Sequence, residues 1–219
     1  MFDAVASEIV RPFVKICGIT NAGDAMAAIE FGADALGFNF YPGSKRFVPP
    51  GKAREWIGAL PDGIPKVAVL VNPDWKEAIA TSALPGITGL QLHGAETPEF
   101  CGRLAERGIL FTKALPVTTA EALRSAPSFF THTLLLDSAG MGEFGGSGRT
   151  FPWEIAREFV LANPNLRVIM AGGLSADNVG RAVAEVQPFG VDVTSGVEAS
   201  PGRKDHGRLQ AFLAAARSA

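Results

Sequence analysis

The chain has little that would suit it to a membrane, a nucleic acid or an oxidising compartment. It holds only 2 Cys among 219 residues, too few for the disulfide framework that staples small secreted domains. Its longest apolar runs, such as Val67-Ala68-Val69-Leu70-Val71, fall far short of the ~20 residues a bilayer span needs. Lys and Arg occur in runs of no more than two, and 20 basic against 22 acidic residues leave a formal net charge of −2. That is no electrostatic footprint for nucleic acid. The N-terminus carries Asp3 and Glu8 and lacks the basic opening of a secretory signal. None of the three histidines stands at metal-ligand spacing from another His or a Cys. A cytoplasmic protein is expected, with no membrane or nucleic-acid partner.

What is present is a hydrophobic content of 47%, enough to bury a full core. Short β-branched and apolar runs alternate with longer helix-period segments. The expected strands are 13–17, 35–40, 66–72, 89–93, 109–115, 133–137, 167–171 and 190–194. The expected helices are 21–31, 50–60, 73–83, 98–107, 119–125, 153–162, 175–186 and 205–218, with Asn21 as the first N-cap and several helices opened by Pro or Thr. Strand then helix, eight times over, predicts parallel pairing through right-handed crossovers. The length is close to the lower limit of about 200 residues for a (β/α)8 barrel. No linker, charge block or low-complexity tract marks a boundary. One (β/α)8 TIM barrel of class α/β is therefore expected over residues 1–219, residues 1–12 being a short N-terminal extension.

Side chains alternate faces along a strand. If Val14 and Ile16 face the helices, Lys15 and Cys17 face the barrel axis. The same parity sends Gln91, His93, Asp137, Asp192 and Thr194 inward, and Asn39 and Lys113 are expected there too. Most of these lie near strand C-termini, the catalytic face of this fold. An unpartnered buried polar group costs roughly 1–3 kcal/mol, so a purely structural core favours Val, Ile or Leu.

Several motifs sharpen that expectation. Cys17 ends the first strand with Lys15 two residues behind it, and a nearby ammonium favours the thiolate. Cys101, between Phe100 and Leu104, reads as packing. Asp137 follows three leucines and is either a cap or an acid in a desolvated site, where burial raises a carboxyl pKa. Ala171-Gly172-Gly173-Leu174-Ser175 follows the seventh strand, and Thr194-Ser195-Gly196-Val197 follows the eighth. Small residues there free backbone N–H groups for an anion, and phosphate commonly binds between these two loops in this fold. Gly140-Met141-Gly142-Glu143-Phe144-Gly145 fits a dinucleotide fingerprint, but Gly146-Ser147-Gly148-Arg149 continues the loop where a helix should begin. It reads instead as a lid or ligand-shaping segment. Lys45 reads as solvated surface, whereas Arg46 is placed to fork onto a carboxylate over the rim. His132 and His206 read as surface or capping groups.

The segments VKICGIT, GFNFYPGSKR, QLHG, LLLDS, GGSG, AGGL and DVTSGVEASPGRKD together resemble the phosphoribosylanthranilate isomerase family, from Val14 to the last helix. VKICGIT and the late SGVE run are specific, while AGGL is shared by many phosphate-binding barrels. The resemblance implies an Amadori rearrangement in tryptophan biosynthesis without metal or organic cofactor. It makes Cys17 the general base and Asp137 the general acid, with Arg46 binding the anthranilate carboxylate. Gly172, Gly173, Thr194, Ser195 and Gly196 would hold the phosphate, supported by Lys15, His93 and Asp192. The expected partner is a small-molecule phosphoribosyl substrate, the chain being a monomer or homodimer. Asn39 stands where the family is generally apolar, Lys45 where Pro is common, and Pro152 where Asp is usual. The sister isomerase of histidine biosynthesis resembles a two-aspartate design, against which Cys17 argues. A non-catalytic phosphate-binding barrel would leave Cys17, Asp137 and Arg46 without a reason.

Overall fold

The computed structural model describes residues 11–117, 119–138 and 153–219. The lid segment 140–149 and the Pro152 departure lie outside them, as does most of the N-terminal extension. Eight strands, β1 (Phe13–Ile16), β2 (Ala35–Asn39), β3 (Lys66–Leu70), β4 (Gly89–Leu92), β5 (Phe111–Pro116), β6 (Thr133–Asp137), β7 (Arg167–Met170) and β8 (Gly190–Val193), close in sequence order into a barrel. All the pairings are parallel, and β1 meets β8 with Lys15 opposite Asp192. The fold is a single (β/α)8 TIM barrel.

Among the described residues seven α-helices surround it: α1 (Ala22–Glu30), α2 (Pro50–Trp56), α3 (Trp75–Ser82), α4 (Pro98–Glu106), α5 (Trp153–Ala162), α6 (Val179–Val186) and α7 (His206–Arg217). Local chemistry sets their starts. The side chains of Asn21, Asp74, Thr97 and Asp205 each accept an orphan backbone N–H from the first turn. The helix expected at 119–125 is absent; 3-10 turns at Ala120–Leu123 and Ala126–Phe129 take its place. Pro127 has no N–H to give and restricts Ala126, so an α-helix cannot run through that point. Helix α6 starts later than its sequence suggests, because Asn178 binds the Ser175 N–H and the Gly173 carbonyl and holds the intervening turn. After β8 comes an unanticipated hairpin, β9 (Glu198–Ser200) with β10 (Arg203–Lys204), whose Pro201-Gly202 turn has Gly202 at φ +79°.

The strand parity follows the expected pattern except in β5. Val14, Ile16, Leu90, Leu92, Leu134, Leu136, Val191 and Val193 pack outward with the helices, while Phe13, Ala35, Ala114, Leu135, Ile169 and Ala171 form a smaller inner cluster. Phe111 and Leu115 belong to the outer layer, so Lys113, which shares their face, also points outward rather than toward the axis. There its Nζ donates to Glu96 Oε2 and the Gly94 carbonyl, both at 2.7 Å, and to the Leu92 carbonyl at 3.3 Å. Glu96 also accepts the backbone N–H groups of Asn72 and Gly94, tying together the ends of β3, β4 and β5. Only 2% of either charged side chain is exposed. Lys113→Met leaves the Glu96 charge buried and unpaired, and urea unfolding is expected to show a loss of roughly 3–5 kcal/mol.

Candidate active site

The inward residues at the strand tips converge on one cavity at the C-terminal end of the barrel. Cys17, Asn39, Gln91, His93, Asp137 and Asp192 line it, and so do Arg46, Gly172, Gly173, Thr194 and Ser195 from the loops. The expected site residues are therefore brought together, apart from Lys15, which is buried behind Cys17, and Gly196. Lys45 is exposed. Cys101 is fully buried in α4 and its thiol is pushed up to about 11, chiefly by burial.

Cys17 is 8% exposed. The space for its thiol comes from β2, where a Cβ on Gly37 would stand 2.7 Å from Sγ and 3.2 Å from the Cys17 Cα. Behind it, Lys15 Nζ donates to Asp192 Oδ1 at 2.7 Å. Burial works against the Lys15 charge, but Asp192 and Cys17 outweigh it and hold the ammonium above its ordinary pKa. The thiol departs from expectation. Burial pushes its pKa up, and Asp192 adds to that; Lys15, Lys204 and a Thr194 hydrogen bond pull it down without cancelling the rise. Lys15 moderates the thiol rather than making it a ready thiolate.

Asp137 is buried at the tip of β6. His93 Nε2 lies 3.2 Å from its Oδ2, and the opposite ring nitrogen, Nδ1, lies 3.0 Å from the Gln91 amide nitrogen. An amide nitrogen only donates, so Nδ1 accepts and the neutral ring carries its proton on Nε2, beside the carboxyl group. Gly172 presses on the same carboxyl from β7's loop. At φ +88°, any Cβ there would come within 2.7 Å of Asp137 Oδ1 and would collide with Ser138 Oγ. The sequence placed His93 near the chemistry, but its contact with Asp137 crosses between strands and has no local signal.

Gly172 and Gly173 both have positive φ and form the loop after β7. Thr194 and Ser195 face them from the loop after β8. Gly196 sits one step back, where a Cβ would strike the Leu174 carbonyl, so the absence of a side chain lets the two loops touch. Arg46 lays its stem over Gly18, which any Cβ would hold 3.2 Å from Cδ. Its guanidinium forks onto Glu198, with Nε to Oε1 at 3.1 Å and Nη2 to Oε2 at 2.7 Å. Sequence reasoning gave Glu198 no role, although it lies within one of the marker segments. Among the described residues, no group of three or more His, Cys, Asp or Glu side chains is arranged to hold a metal ion.

A closed parallel barrel with a buried thiol and a buried carboxyl at its C-terminal mouth belongs to the (β/α)8 enzymes, whose chemistry sits at that face. Comparisons narrow the class. A family model described as N-(5'-phosphoribosyl)anthranilate (PRA) isomerase matches residues 14–215, and the chain belongs to that family. It is 43% identical over 206 residues to the N-(5'-phosphoribosyl)anthranilate isomerase of Magnetococcus marinus, covering 94% of this chain and 95% of the relative. The enzyme of the same name from Thermotoga neapolitana is 43% identical over 204 residues, covering 93% and 98%. The crystal structure of phosphoribosyl anthranilate isomerase from Thermotoga maritima superposes with a TM-score of 0.85 at 39% identity, covering 94% of this chain and 98% of that one. Another structure of such an isomerase, in complex with reduced 1-(o-carboxyphenylamino)-1-deoxyribulose 5-phosphate, matches with a TM-score of 0.81 at 38% identity, covering 94% and 98%.

Lys15→Met removes a cation that favours the thiolate and leaves Asp192, which disfavours it. Alkylation of Cys17 by iodoacetamide, followed by peptide mass spectrometry, is expected to need a higher pH in this variant than in the parent protein. An unchanged pH dependence would mean that Lys15 has no hold on the thiol.

Proposed function

We propose that this chain catalyses the Amadori rearrangement of N-(5'-phosphoribosyl)anthranilate to 1-(2-carboxyphenylamino)-1-deoxyribulose 5-phosphate, a step of tryptophan biosynthesis. The observation that carries the reading is that Cys17 and Asp137 reach one cavity from β1 and β6 in a member of this isomerase family. Asp137, as general acid, donates its proton to the ribose ring oxygen. The bond from that oxygen to C1′ breaks, and the amine lone pair completes a protonated Schiff base. Cys17, as thiolate, then removes the C2′ proton, and the electron pair moves to neutralise the iminium nitrogen. The resulting enolamine tautomerises to the aminoketose.

Arg46 reads the anthranilate carboxylate at the rim. Gly172, Gly173, Thr194, Ser195 and Gly196, in the loops after β7 and β8, form the phosphate cradle. Lys15 and Asp192 support the base from behind, and His93 supports the acid. The support for these roles is the placement of the side chains around one cavity and their match to the family's motifs. The raised pKa of the Cys17 thiol makes its ionised form a stronger base while lowering its population at neutral pH. Activity governed by this group should accordingly climb as the pH rises through the neutral range.

The same reading takes residues 1–219 as one domain, with residues 1–12 as its extension, working in the cytoplasm as a monomer or homodimer without metal or organic cofactor. Support for the setting is that, among the described residues, no helix is long and apolar enough to cross a membrane.

Cys17→Ala and Asp137→Asn are each expected to lower turnover by about 100-fold or more, with the thermal unfolding transition retained. Near-normal conversion of the phosphoribosyl substrate in either variant would remove that residue from the mechanism. Arg46→Ala is expected to raise KM for the same substrate; an unchanged KM would hand the carboxylate to Lys45 or another cation.

A further inference from the structure

The hairpin after β8 carries two buried charges that the proposed steps do not use. The Lys204 side chain is fully buried. Its Nζ donates to the Cys17 carbonyl at 2.6 Å, the Thr194 carbonyl at 3.1 Å and Glu198 Oε1 at 3.3 Å. An ammonium has three N–H donors, so all of them are committed. Glu198 accepts from Lys204, from the Gly202 N–H at 3.2 Å and from both arms of the Arg46 fork. Burial opposes its charge, yet Arg46 and Lys204 outweigh burial and keep its carboxyl below the usual range.

The geometry of the fork decides what Arg46 has left. A guanidinium is planar and presents two edges that match a carboxylate. Glu198 occupies the Nε–Nη2 edge, which leaves Nη1 and the second Nη2 hydrogen together on the other. Arg46 lines the cavity, and its stem is confined over Gly18. The charges also sum suitably: Lys204 and Arg46 against Glu198 leave one net positive charge, which one substrate carboxylate neutralises.

We infer that Glu198, itself held by Lys204, is a positioning residue that fixes Arg46 with its free edge turned to a planar carboxylate and so selects substrates bearing that group. The inference rests on the proposed role of Arg46. Without Glu198 the guanidinium end of Arg46 would have to be ordered at the moment of binding, which weakens affinity for the carboxylate. Lys204 further ties this device to the tips of β1 and β8, so that the arginine clamp, the thiol and the loop after β8 share one anchor.

The test compares KM for N-(5'-phosphoribosyl)anthranilate with KM for N-(5'-phosphoribosyl)aniline, which lacks the carboxylate, using the full chain. Glu198→Gln should raise KM for the first roughly tenfold or more, with a much smaller effect on kcat, and leave KM for the second essentially unchanged. Glu198→Asp keeps a charge for Lys204 but is one methylene too short to close both bonds to Arg46. It should show the same selective rise even if the glutamine variant fails to fold. Arg46→Ala, run alongside, should remove the distinction between the two substrates. Equal losses on both substrates in the Glu198 variants, or no loss on either, would overturn the inference while a selective Arg46→Ala effect kept the proposed function. If Arg46→Ala did not discriminate between the substrates, its role as carboxylate reader would fall, and the inference with it.

Discussion

The barrel closes along a seam where Lys15 of β1 stands opposite Asp192 of β8, their charged groups 2.7 Å apart inside the protein. Neither charge would persist in that place alone, because an isolated ion taken out of water loses hydration worth several kcal/mol even after the protein relaxes. Paired, they fix the register of the last strand against the first. Two residues further along each strand lie Cys17 and Thr194, so the same register brings the thiol to the mouth of the barrel beside the loop after β8. Lys204 then caps the seam by binding the carbonyls of those two residues.

This placement explains why a thiol next to an ammonium is nonetheless a weak acid. Lys15 already spends much of its field on Asp192, and Lys204 on Glu198. What remains acts on Cys17 less strongly than the removal of water does. A thiolate formed under those conditions is a stronger base than one in solution, and it stays in a pocket where its charge has partners close by. Gly37 belongs to the same arrangement: a methyl group in its place would force the sulfur out of the position that the seam defines.

The alternation of side chains along strands made much of this legible in the sequence. It placed Cys17, His93, Asp137 and Asp192 around a common axis because their neighbours, Ile16, Leu92, Leu136 and Val191, demand the apolar layer. The same rule, applied consistently to β5, places Lys113 outward with Phe111 and Leu115; its polarity alone suggested the axis and was misleading. A buried lysine needs a partner, and Glu96 supplies one from the loop between β4 and α4. Helical period also misled at 119–125, since a proline two residues beyond the segment limits what can propagate. Glu198 shows a different limit. It lies 152 residues from Arg46, and no spacing rule connects a β8 hairpin to a β2 loop until the barrel has closed.

The division of labour between strands and loops follows from these constraints. On the proposed reading, the groups that move protons sit on strand tips, where the barrel's hydrogen-bond ladder holds the backbone and Gly37 of β2 or Gly172 after β7 leaves room. The groups which that reading assigns to substrate recognition sit on loops, whose backbones lack that ladder and need another restraint. Asn178 provides it for the loop after β7 and Lys204 for the loop after β8. Arg46 gains it from Glu198, itself anchored by Lys204. Rigidity at the rim is thus obtained from buried polar side chains that contact the barrel rather than from the loops' own conformations. Replacing Asn178 or Glu198 therefore alters the rim through geometry, whereas Lys204, bound to the Cys17 carbonyl, also restrains the strand tip that carries the thiol.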